Sequence, residues 1–308
     1  MTNAVIFSER EQGFSKVPAT ISVQIEKLRE RGMIINDEDY AHYTLESINY
    51  YRLLHYFAVF LDDNGKYYKE GTTFECGMRF YDFDRRLRSE ILILLEEIEL
   101  AVRAAVSNYH ATKYGSLGYL NEDSFDRRHN HKAFLNKIKR MLDKNSHLSF
   151  VRHYNNKHKG AFPLWVLMEL FSFGMLVFFY QDMRASDKKD ISLHYFKLDA
   201  RNADNWLENL GNLRNHCAHY NRIYGNNLPG ELRKAVGDSV SFFPREYEMG
   251  STLFDYLIAI RIVHRRGNHQ KEWGKAFVGD MIKLFDDYAD IVNPADLGFP
   301  EDWVNFLL

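Results

Sequence analysis

From Leu87 onward, apolar residues recur at Ile91, Leu94, Ile98, Val102, Ala105 and Tyr109, spacings of 4-3-4-4-3-4 that place one stripe along a helix. The run is bracketed by Gly71-Thr72-Thr73 and Gly115, which predicts an amphipathic helix of about 35 residues. Its polar side carries Glu96, Glu97, Glu99 and Arg103. These acids are expected on a solvated face, with Glu99→Arg103 a surface pair at the favourable i,i+4 spacing. A lesser reading is that one of these carboxylates orients a functional side chain.

Chain breakers are scarce elsewhere too. The 308 residues include 18 Gly and 6 Pro, well under the roughly 12% of an average chain. Long helices are therefore expected in place of many hairpins, and the fold class is all-α. Near the start, Pro18 precedes Ile21, Ile25 and Leu28 at helical spacing, and Gly32 ends that helix. Asp37, Glu38 and Asp39 form the acidic first turn of a second helix. A third is expected over 48–61, followed by a DDNGK turn. Further on, Phe134, Ile138, Met141 and Leu142 mark a helix. Others are expected over 200–220, 252–264 and 271–289, with 229–250 irregular. The domain organisation this predicts is an N-terminal helical subdomain (1–70), a larger helical domain (71–290) and a C-terminal tail (291–308).

Composition excludes several classes. Apolar (45%) and charged (27%) fractions are those of a globular chain, so wholesale disorder is not expected. Two cysteines, Cys76 and Cys217, cannot build a disulfide framework or a Cys-based zinc ribbon. The opening MTNAVIFSEREQ lacks a charged segment followed by an apolar run, so a cytoplasmic protein is expected. Residues 161–180 (AFPLWVLMELFSFGMLVFFY) contain one charge, Glu169, and are long enough to span a bilayer. A central glutamate is costly there, and the segment is expected as a core helix opening at Pro163.

Phosphate-binding glycine loops, H-E-x-x-H and G-x-S-x-G are all missing. One segment stands apart: Asn212-Leu213-Arg214-Asn215-His216-Cys217-Ala218-His219-Tyr220-Asn221-Arg222. At about 100° per residue, Trp206, Leu210, Leu213 and Cys217 form its buried stripe, while Asn215 and His219 point away from it and Arg214 flanks it. Imidazole can move a proton near neutral pH. A guanidinium fork suits phosphate oxygens and a phosphorane-like transition state. RNA brings its own nucleophile, the 2′-OH. Arg214 and His219 thus suffice in principle for cleavage to a 2′,3′-cyclic phosphate and a 5′-OH, with no metal and no cofactor expected.

The Arg214-x4-His219 spacing, with Asn215 after the arginine, resembles the R-x4-6-H signature of HEPN ribonucleases. LRNHCAHYNRIYG, together with QIEKLRERGMII, INYYRLLHYF, FYDFDRRLRSEILILLEEIELAVRAAV and PLWVLMELFSFG, is similar to the abortive-infection Abi (AbiD/AbiF-like) family of phage defence. The resemblance implies a HEPN-like helical bundle with an N-terminal helical extension. It also implies an endoribonuclease triggered by infection, whose active site is shared across a homodimer. Arg214 and His219 would be the catalytic pair and Asn215 their polar companion. RNA is the implied substrate, a small non-coding RNA a further partner, and a membrane is not. Arg222 and the basic-aromatic stretch with Arg152, Tyr154, Lys157 and Lys159 are candidate RNA contacts, the latter also readable as a solvated loop.

Blander readings compete. Arg214 and His219 could simply complement a helix C-terminus. His216 and His219, with Cys217 between them, could ligate a metal, although Cys217 lies on the apolar stripe. The chain could be a catalytically idle HEPN-like RNA-binding or antitoxin-type regulator. A nucleotide-transferring toxin is a third class, but the expected carboxylates are missing.

Overall fold

The computed structural model describes residues 17–234, 249–267 and 273–308. Among them it is all-α, with three isolated β-bridges and no strand. The chain divides into two compact units, 1–82 and 83–308.

In the first unit, α1 (Ile21–Glu30) is capped by the Thr20 hydroxyl and stops where Gly32 turns left-handed at φ 89°. Helix α2 (Glu38–Ser47) starts under the Asp37 carboxylate, which accepts from the Tyr40 amide at 2.8 Å. Helix α3 (Tyr50–Phe57) is shorter than the expected 48–61. It tightens into a 3₁₀ turn over Ala58–Phe60, because Leu61 leaves to form an antiparallel bridge with Tyr68. Phe57 meets Phe74 edge-on at 5.5 Å. Gly77 admits that ring, since a Cβ there would lie 2.5 Å from Phe57 Cε1.

Helix α4 (Phe74–Tyr114) has 41 residues and runs from the first unit into the second. Its stripe is buried from Leu87 through Ala105, as the spacing predicts, while Tyr109 is half-buried and donates to Asp190 Oδ2 at 2.6 Å. Gly115, at φ 84°, terminates it.

The second unit continues with α5 (His131–Lys144), α6 (Ser149–Lys157), α7 (Leu164–Leu167), α8 (Phe173–Asp182) and α9 (Ala185–Ile191). Then come α10 (Ala200–Ala218), α11 (Leu253–Gly267), α12 (Trp273–Asp287) and α13 (Trp303–Leu307). Three expectations change. The 161–180 segment is not one helix: α7 passes into a 3₁₀ turn (Met168–Leu170), Phe171 is extended, and α8 restarts under the Ser172 hydroxyl. The break leaves Glu169 exposed and frees the Phe171 carbonyl, which accepts from Arg103 Nη2 at 3.0 Å. No helix among the described residues is long and apolar enough to cross a membrane. Residues 149–157, readable as a loop, are helical because Val151 is fully buried and anchors one turn. The 291–308 segment is packed: Phe299 meets Phe254 at 5.2 Å and Trp303 meets Phe285 at 5.9 Å. Of the expected irregular stretch, 235–248 lies outside the described residues.

Candidate functional site

The candidate site lies at the end of α10. This helix starts under the Asp199 carboxylate, which accepts from the Arg201 and Asn202 amides at 3.0 Å each. It packs along α8, and Trp206, Leu210, Leu213 and Cys217 are buried as the wheel requires. Burying an apolar side chain is worth about 1.5–3 kcal/mol, so this stripe sets the helix's rotation. Glu208 and Asn212 are consequently exposed and Arg214, Asn215 and His216 half-buried, while Asn209 is drawn in to donate to Glu231 O at 3.2 Å.

The helix ends abruptly. His219 is the C-cap, and its amide donates to Asn215 O at 2.9 Å. The Tyr220 amide donates to Cys217 O and the Asn221 amide to His216 O, the two crossed bonds of a Schellman motif. The residue in the left-handed position is Tyr220, at φ 62°, where glycine is usual. Its ring is 67% exposed.

Beyond Tyr220 the chain turns inward. The Ile223 and Tyr224 amides both donate to Asp84 Oδ1, at 2.8 and 3.0 Å. Asp84 is fully buried, and its other oxygen pairs with Arg88. Arg88 also reaches Asn221 O at 3.5 Å, and His216 Nε2 donates to Arg222 O at 3.0 Å. His216 is thereby committed to the turn. Burial pushes the Cys217 thiol up to about 12, so it is neither a nucleophile nor a ready ligand. Among the described residues, no three His, Cys, Asp or Glu side chains are grouped to hold a metal ion.

Arg214 is 36% exposed and held from two sides. Its Nη1 donates to Asn215 Oδ1 at 3.4 Å, and its Nε lies 3.5 Å from Glu99 Oε2. The other Glu99 oxygen accepts from Arg103 Nη2 at 2.8 Å. Glu99 and Arg103 are 14% and 12% exposed, so this is an enclosed clasp and not the expected surface pair. His219 is exposed, and its ring makes no hydrogen bond, ion pair or ring contact among the described residues. The two residues are five positions apart, about 140° around the axis and 7.5 Å along it. A single copy therefore presents them on diverging directions.

The remaining candidates fall elsewhere. Arg152, Lys157 and Lys159 are exposed on α6 and the turn after it, with no bond to the motif residues. Tyr154 is half-buried and stacks on Phe162 at 5.4 Å, so part of its ring is already spent on packing. Arg222, expected to face RNA, is only 8% exposed and donates to Asn226 Oδ1. It is a fixture of the turn, drawn inward with Ile223 and Tyr224. Asp84 and Arg88 were not singled out by sequence reasoning; their i,i+4 spacing was the only visible signal. The αL conformation of Tyr220 left no signal.

Residues 43–225 match the model of a family described as Abi-like protein. No curated protein and no solved structure matches the chain.

Proposed function

The chain belongs to the Abi-like protein family, and from that premise we propose that it is a HEPN-type endoribonuclease acting in abortive infection. Its site is Arg214, Asn215 and His219, completed by a second copy of the chain. The observation that carries the reading is the pairing of a positioned guanidinium with an unengaged imidazole on one helix end. Glu99 and Asn215 hold Arg214, while His219 stays open to whatever docks there.

The chemistry follows from these groups. His219 takes the proton of the RNA 2′-OH as that oxygen attacks the adjacent phosphorus. Arg214 stabilises the extra negative charge on the phosphorane-like transition state. The P–O bond to the 5′ oxygen breaks, and an imidazolium from the other copy protonates the leaving oxygen. The products are a 2′,3′-cyclic phosphate and a 5′-OH. Because Arg214 and His219 diverge by about 140° on one helix, two copies meeting face to face converge the groups better than one.

A second reading, a catalytically idle HEPN-like RNA-binding or antitoxin-type regulator, has one observation in its favour: Glu99 already neutralises part of the Arg214 charge. Incubation with RNA in EDTA separates the two. The ribonuclease yields 2′,3′-cyclic ends, and Arg214→Ala and His219→Ala each lower cleavage at least about a hundredfold with unchanged circular dichroism. Undiminished cleavage by both variants rejects the site. A strict monomer at micromolar concentration with full activity rejects the shared arrangement.

A further inference from the structure

Charge is unevenly distributed along the chain. Residues 127–159 hold ten Lys and Arg and one acid, Asp143. With 40 basic and 42 acidic residues in all, the remainder holds 30 against 41. A protein of net charge −2 thus carries a strongly cationic segment in an acidic body, and that segment is α5, α6 and their flanks.

Helix α5 shows how the charge is presented. Of its 14 residues only Ile138 is buried, and the cations Lys132, Lys137, Lys139, Arg140 and Lys144 are all exposed. Measured from Ile138, they fall between about 100° and 260°, the whole side turned away from the core. None of the five has a salt-bridge partner among the described residues, and Lys137 instead lies 5.7 Å over the Phe178 ring. Lys137, Arg140 and Lys144 stand at i,i+3 and i,i+4, where like charges repel. Such a row is offset when phosphates cover it.

The two helices themselves offer little of what single strands use. Unpaired bases are bound by stacking on exposed rings. No Phe, Tyr or Trp of α5 or α6 is exposed: Phe134 sits against Phe125 and His129, Phe150 is half-buried, and Tyr154 stacks on Phe162. The adjoining Phe178 of α8 is exposed, but the Lys137 ammonium already lies over its ring. Five cations against one ring already covered by a lysine favour reading of backbone, and an RNA duplex displays its phosphates in regular rows beside a shallow groove.

We infer that the exposed side of α5, extended by Arg152, Lys157 and Lys159 of the α6 region, is a docking surface for the phosphate backbone of double-stranded RNA. This rests on the reading of the protein as acting on RNA, and it specifies that the RNA engaged carries a stem.

The test uses the full chain carrying Arg214→Ala, so that bound RNA stays intact. Fluorescence anisotropy compares a 16-base-pair RNA duplex with a single strand of the same length across a salt series. Tighter binding of the duplex is expected. Adding Lys137→Glu, Arg140→Glu and Lys144→Glu should weaken duplex binding by about a hundredfold or more and flatten its salt slope by roughly three. The milder Lys137→Gln, Arg140→Gln and Lys144→Gln set gives the same direction should charge reversal impair folding. Equal duplex affinity with and without the three cations overturns the inference, as does preference for the single strand. Binding only to phosphatidylserine vesicles, run in parallel, also overturns it. With Arg214 intact, absent cleavage alongside charge-dependent duplex binding rejects the ribonuclease reading alone. Normal cleavage with charge-indifferent duplex binding rejects this inference alone.

Discussion

Glu99 Oε2 lies 3.5 Å from Arg214 Nε, while its other oxygen takes Arg103, which itself holds the Phe171 carbonyl. One carboxylate thus ties the motif arginine on α10 to the middle of α4 and to the break between α7 and α8. A guanidinium free to rotate is a weak electrostatic catalyst, because its orientation must be gained during the reaction. Glu99 fixes it beforehand.

Glu99→Gln keeps the shape and removes the charge. Cleavage should fall by about tenfold, since the ion pair that orients Arg214 is lost. Folding stability should fall by about 1 kcal/mol. Single-turnover rates and urea melts measure the two separately; an unchanged rate would show that Arg214 is positioned by something else.

Tyr220 pays a conformational cost at φ 62° with a mostly exposed ring. Left-handed backbone costs a non-glycine residue roughly 1–2 kcal/mol, so Tyr220→Gly should raise the denaturation midpoint. If the strained tyrosine is there for RNA, the same variant binds RNA more weakly. Lower stability would show that Tyr220's side-chain contacts outweigh the backbone relief.

Asp84 is fully buried beside Arg88 and accepts two amides from the segment after the motif. Removing one member of a buried pair strands the other, at about 3–5 kcal/mol. Asp84→Ala should lose that much in equilibrium unfolding. Hydrogen exchange at the Ile223 and Tyr224 amides should accelerate; retained protection there would argue that the turn stands without Asp84.

His110 is fully buried among Tyr114, Phe125 and Phe179, and burial pushes its pKa down to about 4. Neither ring nitrogen meets a hydrogen-bond partner among the described residues. Between about pH 6.5 and 4 the unfolded chain binds a proton that the native chain refuses. Stability is therefore complete above this window and is lost as pH falls through it, by about 3 kcal/mol in full. His110→Leu should flatten this pH dependence without lowering stability at pH 7.5, because no hydrogen bond is broken. A slope that survives the substitution would assign it to another group.

Periodicity made much of the architecture legible. The stripe from Leu87 to Ala105, the Trp206–Leu210–Leu213–Cys217 stripe, the acidic start of α2 and the stop at Gly32 all depend on residues within a turn or two of one another, and local spacing encodes them. The exposure of His219 followed from the same rule, whereas Asn215, expected to point outward with it, is half-buried beside Arg214. The break at Phe171 and Ser172 did not, because a continuous apolar run is compatible with one helix or two. It is resolved only by partners such as Arg103, 68 positions away from the carbonyl it binds.

What sequence alone determined about this protein is its all-helical class, the faces its helices bury and the position of its Arg-x4-His segment. What only tertiary structure decided is which side chains that segment meets: Glu99 on Arg214, Asp84 beneath Ile223 and Tyr224, and Arg222 drawn inward. The physical reason is range. Helix periodicity is a property of neighbours, whereas a buried charge needs a counter-charge or donor that the chain can deliver from more than a hundred residues away, and no local pattern announces which one will arrive.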